Sequence, residues 1–552
     1  MKRIFRFAGC LSLAALAIGL MPVAGQDAKL MSLAAPNCDY GGEIKSIEAV
    51  DMATVKFTLC FPDPAFTSKV VQDAFGIQSS DYLEKTGGKG DLLTTPIGTG
   101  PYKLEKWDRG NEMDMTRFDD YWGDKAKAKT LIFRWNPEAT QRFTELQAGN
   151  IDVFDNPAPN DFDAIKSNPD YELLTREGLN TLYLAMNNNF PPFDNVKVRQ
   201  AVSYAIDTQR IVDNFFPPGS SVATQLLPEA IFGYSKEVTG YKLDAQKAMD
   251  LLDQAAKDDG VKLPIESTIS YRNVVRGYLP QPPVIAQDLQ AQLNGLGDGK
   301  YFNIKVQEVE SGTFISEALG GKYPLHLLGG GADYPDASNL FGFWFQGAPA
   351  SFGKDYKDIE AAVAEGGRST DDAARSAAYL KVNQLVQSEA PMVPIAHGGS
   401  AIAYKAGIEG AQASPLRREL FYVTKNPNSD QLVFMQGAEP IMLYCADNSD
   451  DETSRACVQM FESLTAFKVG STEIVPSLAE SWDVNTDGTE WTFHLRQGVK
   501  FHDGSTLDAN DVVETYVVQW DASNPLHTGN GQGFTYWAAY FGAFLNAPKT
   551  TS

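Results

Sequence analysis

Residues Leu478 to Val512 read LAESWDVNTDGTEWTFHLRQGVKFHDGSTLDANDV and end forty residues short of the C-terminus of a 552-residue chain. Trp491, Phe493 and Leu495 alternate with Thr492, His494 and Arg496, so an extended strand here has one apolar and one polar face. Val499 and Phe501 continue the strand signal after Gln497-Gly498. Asp508 is placed to cap a helix in which Val512, Val513, Tyr516, Val517 and Trp520 share one face. A half-buried hairpin running into a capped helix is the unit from which the rest is read.

The same pattern recurs upstream. Ile44 to Phe61 alternates about Asp51-Met52-Ala53, with Val55, Phe57 and Leu59 on one side and Lys56 and Thr58 on the other. Leu131 to Trp135 reads as a buried strand, Thr140 to Ala148 as a helix and Ile151 to Phe154 as a strand, which indicates α/β organisation. From Val196 the helices lengthen: Val198, Val202, Ala205 and Ile206 share a face, and Asp207 to Phe215 follows. Ala245 to Lys257 carries Met249, Leu252 and Ala256 at helical spacing, and Val284 to Leu293 is a third helix. Asp371 to Ser388 is expected to turn Ala374, Ala377, Ala378, Leu385 and Val386 inward. Such faces are core packing. Asn426 to Asp430 is the best linker, polar and turn-prone. No fixed-period repeat is present.

A chain that is 43% hydrophobic and 11% aromatic has material for two or three globular domains. Residues 1–25 read as a secretory signal peptide: Lys2, Arg3 and Arg6, then an apolar run from Leu11 to Met21, then small residues at Val23 and Gly25. Phe7-Ala8-Gly9 before Cys10 is a poor lipobox. Loss of that segment takes three cations with it and moves the net charge from −23 to −26, which excludes a nucleic-acid backbone as partner. Cys38, Cys60, Cys445 and Cys457 remain. In an oxidising compartment they read as the disulfides Cys445–Cys457, whose short loop is worth roughly 3 kcal/mol, and Cys38–Cys60, which flank the first hairpin. Four buried free thiols are the other reading.

The motifs of serine hydrolases, zinc proteases and P-loop nucleotide-binding proteins are absent from the sequence. His326, His397, His494, His502 and His527 are scattered, with no acidic or thiol cluster beside them, so neither a metal nor a cofactor is expected, and His494 and His502 read as solvated strand histidines. Gly98-Thr99-Gly100 and Gly329-Gly330-Gly331 do not match a dinucleotide fingerprint.

Several stretches carry a resemblance. PIGTGPYKLEKWDRG (Pro96 to Gly110), RFDDYWGD (Arg117 to Asp124), RWNPEATQRFTELQAGNIDV (Arg134 to Val153) and MNNNFPPFDNVKVRQAVSYAID (Met186 to Asp207) resemble the middle of the family 5 extracellular solute-binding proteins. GGGADYPDASNLF (Gly329 to Phe341) and APMVPIAH (Ala390 to His397) are similar to landmarks near that family's end. QLVFMQGAEPIMLYCADNSDDETSR (Gln431 to Arg455) and the opening stretch are similar to its beginning. The order of the parts therefore reads as circularly permuted, with the join at Asn426 to Asp430.

The resemblance implies an α/β, two-lobed type II (cluster C) periplasmic-binding-protein fold with a small accessory domain. It divides the chain into 36–93 with 466–548 (small domain), 94–190 with 396–465 (lobe I) and 191–395 (lobe II). It also places both chain ends in the small domain, away from the ligand cleft. It implies a monomeric receptor, exported to the periplasm or the outer face of the membrane, that closes on an oligopeptide or dipeptide and hands it to an ABC permease, through which alone it meets the membrane. Asp333 stands where peptide-binding relatives hold the ligand amino group, in the setting Gly330-Gly331-Ala332-Asp333-Tyr334. Gly329 and Gly330 stand where relatives often carry tryptophan, which implies a wider pocket. Leu327 to Gly331 offers backbone to an extended ligand. Glu439 to Tyr444 is the expected opposite wall, with Tyr444 its aromatic face, and Arg272 and Arg276 are candidates for a ligand carboxylate. A carrier of oligosaccharide or metal chelate is the alternative within transport, and a secreted hydrolase the alternative outside it.

Overall fold

A computed structural model describes residues 29–347, 349–354, 356–529 and 533–548; the signal segment and Cys10 lie outside them. The stretch from Leu478 forms the antiparallel strands Ala479–Val484 and Glu490–Leu495. They complete a five-stranded sheet whose other strands lie near the start of the chain, in the order 32–34, 44–51, 54–59, 490–495, 479–484. Phe57 lies opposite Trp491 and Val55 opposite Phe493. The helix Ala509–Trp520 covers this sheet, opened by a capping box in which Asp508 and Asp511 bond each other's backbone N–H. Phe57 meets Tyr516 edge-on at 4.9 Å and Phe66 at 5.3 Å, so both ends of the chain build one core.

The two ends also touch directly. Glu43 N–H donates to the Phe541 carbonyl at 2.7 Å, and Gly42 and Gly542 form a β-bridge. Beneath them lies buried Lys69, with Nζ 2.8 Å from both Glu43 and Asp63 and donating to the Tyr540 carbonyl at 3.0 Å. Burial pulls this amine down, but Asp63 and Glu43 outweigh it and hold it well above the usual lysine range.

A seven-stranded sheet has the order 102–108, 112–117, 130–135, 431–436, 153–155, 400–405, 171–176. Its central strand, Gln431–Gln436, follows the linker and runs parallel to both neighbours. A six-stranded sheet has the order 221–222, 392–397, 180–186, 325–331, 265–272, 302–309. The sequence division at 190 needs correction: Asn180–Met186 is a buried strand inside the six-stranded sheet, pairing with Leu325–Gly331 over seven residues. Met392–His397 belongs there too. The chain crosses between the sheets at 177–179 and 398–399, where a Cβ on Gly178 would lie 2.3 Å from the Gly398 carbonyl. The Asn180 amide brackets the crossing, donating to Gly398 O at 2.7 Å and accepting from Gly398 N at 2.9 Å. Beside it, buried His397 places Nδ1 2.9 Å from Asn180 O.

The helix Asp372–Glu389 forms with a different inward face from the one expected. Ala374 and Ala377 are exposed, while Arg375, Ala378, Tyr379, Val382 and Val386 are buried. The cause is Asp336, which binds Arg375 at 2.6 Å and makes a buried cation tolerable. Both disulfides form, Cys38–Cys60 and Cys445–Cys457. His502, expected among solvated histidines, is buried: Nδ1 accepts from Gly98 N at 3.3 Å and Nε2 donates to Gly100 O at 3.0 Å. Replacing Lys69 with Met strands Glu43 and Asp63 together without a cation. Urea unfolding at pH 7 is expected to show a loss of about 3–5 kcal/mol.

Candidate ligand cleft

The strand Leu325–Gly331 sets the site. One edge is fully bonded to Asn180–Met186, whereas on the other edge only Leu325 and His326 pair with Ile265–Arg272. Leu327 to Gly331 thus present an edge without a strand beside it. The glycines do not widen a pocket, contrary to expectation. A Cβ on Gly329 would lie 2.5 Å from the Tyr278 ring, and one on Gly330 2.9 Å from Trp344, so those aromatic rings fill the space. Gly331 differs: it is exposed, and a Cβ there would meet only ordinary contacts. Ala332 N–H then bonds Leu179 O at 2.7 Å and Asp333 N–H bonds Asn339 Oδ1 at 2.9 Å, which fixes the turn.

Asp333 is half-buried. Burial pushes its carboxyl up to about 6, only partly offset by Arg418 and by the Asn339 and Tyr540 groups facing it, while Asp451 adds to the rise. Arg418 is not free to neutralise it. One nitrogen donates to Gln72 Oε1 and another lies 3.3 Å from buried Asp73. Gln72 in turn donates to the Asp333 carbonyl. Arg417 is held by Asp451 at 2.5 Å. Asp333 is therefore the carboxylate of this group left without a cation of its own.

Behind the cleft lies a buried ionic cluster. Arg176 binds Asp155 at 2.6 Å and Glu419 at 2.7 Å, and Arg455 binds Asp155 at 2.5 Å. Burial alone would raise Asp155, but Arg455 and Arg176 hold it at about 2. Arg176 ends the strand that leads into the crossing at 177–179, and Glu419 adjoins Arg418. The cluster thus joins the crossing to the cleft wall.

The other expected residues are dispersed. Glu439 accepts from Trp107 Nε1 and Gly110 N, both at 3.1 Å, so it serves the Trp107–Asn111 turn. Tyr444 is buried, edge-on to Phe534 at 6.2 Å, and offers no open aromatic face. Arg272 donates to Tyr278 Oη at 2.9 Å and Ser311 Oγ at 3.3 Å. Arg276 is exposed and donates to Val275 O at 3.0 Å. Tyr334 is buried against Tyr540, with rings 5.3 Å apart.

The expected separation of chain ends from the cleft does not hold. The helix Thr535–Phe541 brings Tyr536 and Tyr540 beside Asp333 and Arg418. The Tyr540 hydroxyl is buried and faces the Asp333 carboxyl. Sequence reading missed Gln72, Arg418, Tyr536 and Tyr540. The adjacent pair Arg417-Arg418 and the aromatic run FTYWAAYF from Phe534 were the available signals.

Two lobes that cross twice, with an uncompensated carboxylate between them, define a solute-binding protein. The family model for bacterial extracellular solute-binding proteins, family 5, matches residues 22–352 and 473–539, and the chain belongs to that family. It is 30% identical over 388 residues to di/tripeptide-binding protein 1 of Pseudomonas aeruginosa, covering 69% of this chain and 71% of that one. The solved structure of HbpA2 from Haemophilus parasuis is similar at 30% identity and TM-score 0.62, covering 69% of this chain and 75% of that one. A dipeptide-binding protein from Pseudoalteromonas sp. SM9913, solved with Met-Leu, is similar at 26% identity and TM-score 0.56, covering 68% and 74%.

The raised Asp333 has a signed consequence. An ionised carboxylate held there costs stability, and the cost grows as pH rises from the unfolded value near 4 towards 6. Asp333→Asn, without ligand, is expected to melt above the native protein at pH 8. Scanning calorimetry should show the gap closing below pH 4.

Proposed function

We propose that this chain is an exported receptor that captures a short peptide between its lobes and delivers it to an ABC permease. The observation that carries the reading is Asp333, an uncompensated carboxylate at the end of a half-open strand edge. A ligand ammonium supplies the cation Asp333 lacks, and a charge-assisted hydrogen bond in a closing cleft favours it over a neutral group. The free edge of Leu327 to Gly331 lets an extended peptide backbone add as a strand. Arg276 is exposed and donates to the Val275 carbonyl, and it would take the ligand carboxylate. Tyr540 supplies a further donor beside Asp333.

Binding energy spent on both lobes favours the closed form, which the permease recognises by shape. No covalent step is called for, and the chain acts as a carrier rather than an enzyme. Export through the N-terminal signal fits a receptor, and among the described residues no helix is long and apolar enough to cross a membrane. The division into a small domain and two lobes follows the three sheets. The bridge between Gly42 and Gly542, and the entry of Gln431–Gln436 into the middle of a sheet, support the permuted order. The room for a sugar that the glycines suggested is taken by Trp344 and Tyr278.

Denaturing the purified protein and identifying the released ligand by mass spectrometry tests the reading. A peptide at one hundred times its Kd should add about 2.7 kcal/mol of stability. N-acetylation of the peptide, or Asp333→Asn, should remove most of that gain, and Arg276→Gln should reduce it. No thermal shift across a panel of di- to pentapeptides would sink the proposal.

A further inference from the structure

Among the described residues, lobe II meets the small domain at an inner and an outer place. The inner one belongs to the cleft, where Gln72 donates to the Asp333 carbonyl and Tyr334 packs on Tyr540. The outer one lies at the turn between the helices Lys357–Arg368 and Asp372–Glu389. There the Arg368 guanidinium stands 4.5 Å over the Phe61 ring. Thr370 also fits against Gly488, where a Cβ would lie 2.5 Å from Thr370 Cγ2 and 3.4 Å from Pro62. Gly488 sits in the tight turn between the strands Ala479–Val484 and Glu490–Leu495, with φ +69°, a conformation that favours glycine.

None of these rim groups is a member of the charged group around Asp333. Arg368 and Thr370 are exposed, and no carboxylate lies within 4 Å of Arg368 among the described residues, so its charge is spent on the aromatic face. The contact joins parts that separate when the lobes open, because Arg368 travels with the six-stranded sheet and Phe61 and Gly488 with the five-stranded one. An interaction made only in the closed form shifts the opening equilibrium whatever occupies the cleft.

We propose that the Arg368–Phe61 and Thr370–Gly488 contacts form a latch that holds lobe II against the small domain and sets the closed-to-open ratio independently of ligand. Cation–π contact at an exposed site changes such a ratio by about two- to fivefold. The proposal rests on the hinge-closing reading above but not on the ligand's identity, and its test is done without ligand.

Spin labels at Lys381→Cys and Glu480→Cys, both exposed, report the distance between lobe II and the small domain by double electron–electron resonance. The protein is first stripped of ligand by unfolding and refolding, and then measured as the native chain, Arg368→Gln, Phe61→Leu and the double variant. The expected result is a short-distance population in the native chain. Its ratio to the long-distance population should fall about two- to fivefold in each single variant and no further in the double variant. A ratio equal in all four proteins, losses that multiply in the double variant, or a native chain with no short-distance population would each overturn the latch. If the latch holds while no peptide binds, only the peptide reading fails.

Discussion

The strand Gln431–Gln436 has a strand on each side, and without it the seven-stranded sheet falls into two pieces, 102–135 and 153–176 with 400–405. Parallel pairing cannot be made locally, since each partner lies some three hundred residues away in sequence. The five-stranded sheet obeys the same constraint, because Thr54–Leu59 waits for Glu490–Leu495. Long loop closure must precede these contacts, so assembly of two of the three larger sheets depends on the last quarter of the chain. Of the three larger sheets, the six-stranded one is built from one continuous stretch, 180–397.

Charge is placed with similar economy. The buried cations Lys69, Arg176, Arg375 and Arg455 each face at least one carboxylate within 3 Å. Buried pairs contribute little net stability but are costly to break, so they fix geometry more than they strengthen it. Lys69 fixes the meeting of the chain ends, and Arg375 the register of its helix. Arg176 and Arg455 fix Asp155 at the root of the crossing. Asp333 has no such close cation among the described residues, and burial raises its carboxyl.

Strands and helices were legible where one face is apolar. Glu490–Leu495 alternates as its residues require, and Val512 to Trp520 lie inward on the expected helix. The reading failed where polar residues are buried by a distant partner. Arg375 displaced the alanines from the inner face of its helix because Asp336 awaited it, and His502 left the solvent because the backbone of Gly98 and Gly100 matched its ring. Asp333 could be singled out from its neighbours in sequence. The pair Arg417-Arg418 and the aromatic run from Phe534 are visible in sequence, but nothing there joins them or Gln72 to Asp333, since the three segments meet only after folding. The glycines misled for the same reason: Trp344 and Tyr278, which fill their space, are fourteen and fifty-one residues away from Gly330 and Gly329.

The imidazole of His397 sits against the Asn180 bracket at the crossing, and burial lowers it to about 4. The fold therefore keeps this ring neutral while an unfolded chain takes up a proton near pH 6.5. Stability from this group is complete above that value and drains away as pH falls towards 4, by about 3 kcal/mol in all. Asp333 loses its charge over the upper part of the same interval. Mild acid thus works on this molecule at two points together: it discharges Asp333 and it loosens the crossing between the two larger sheets.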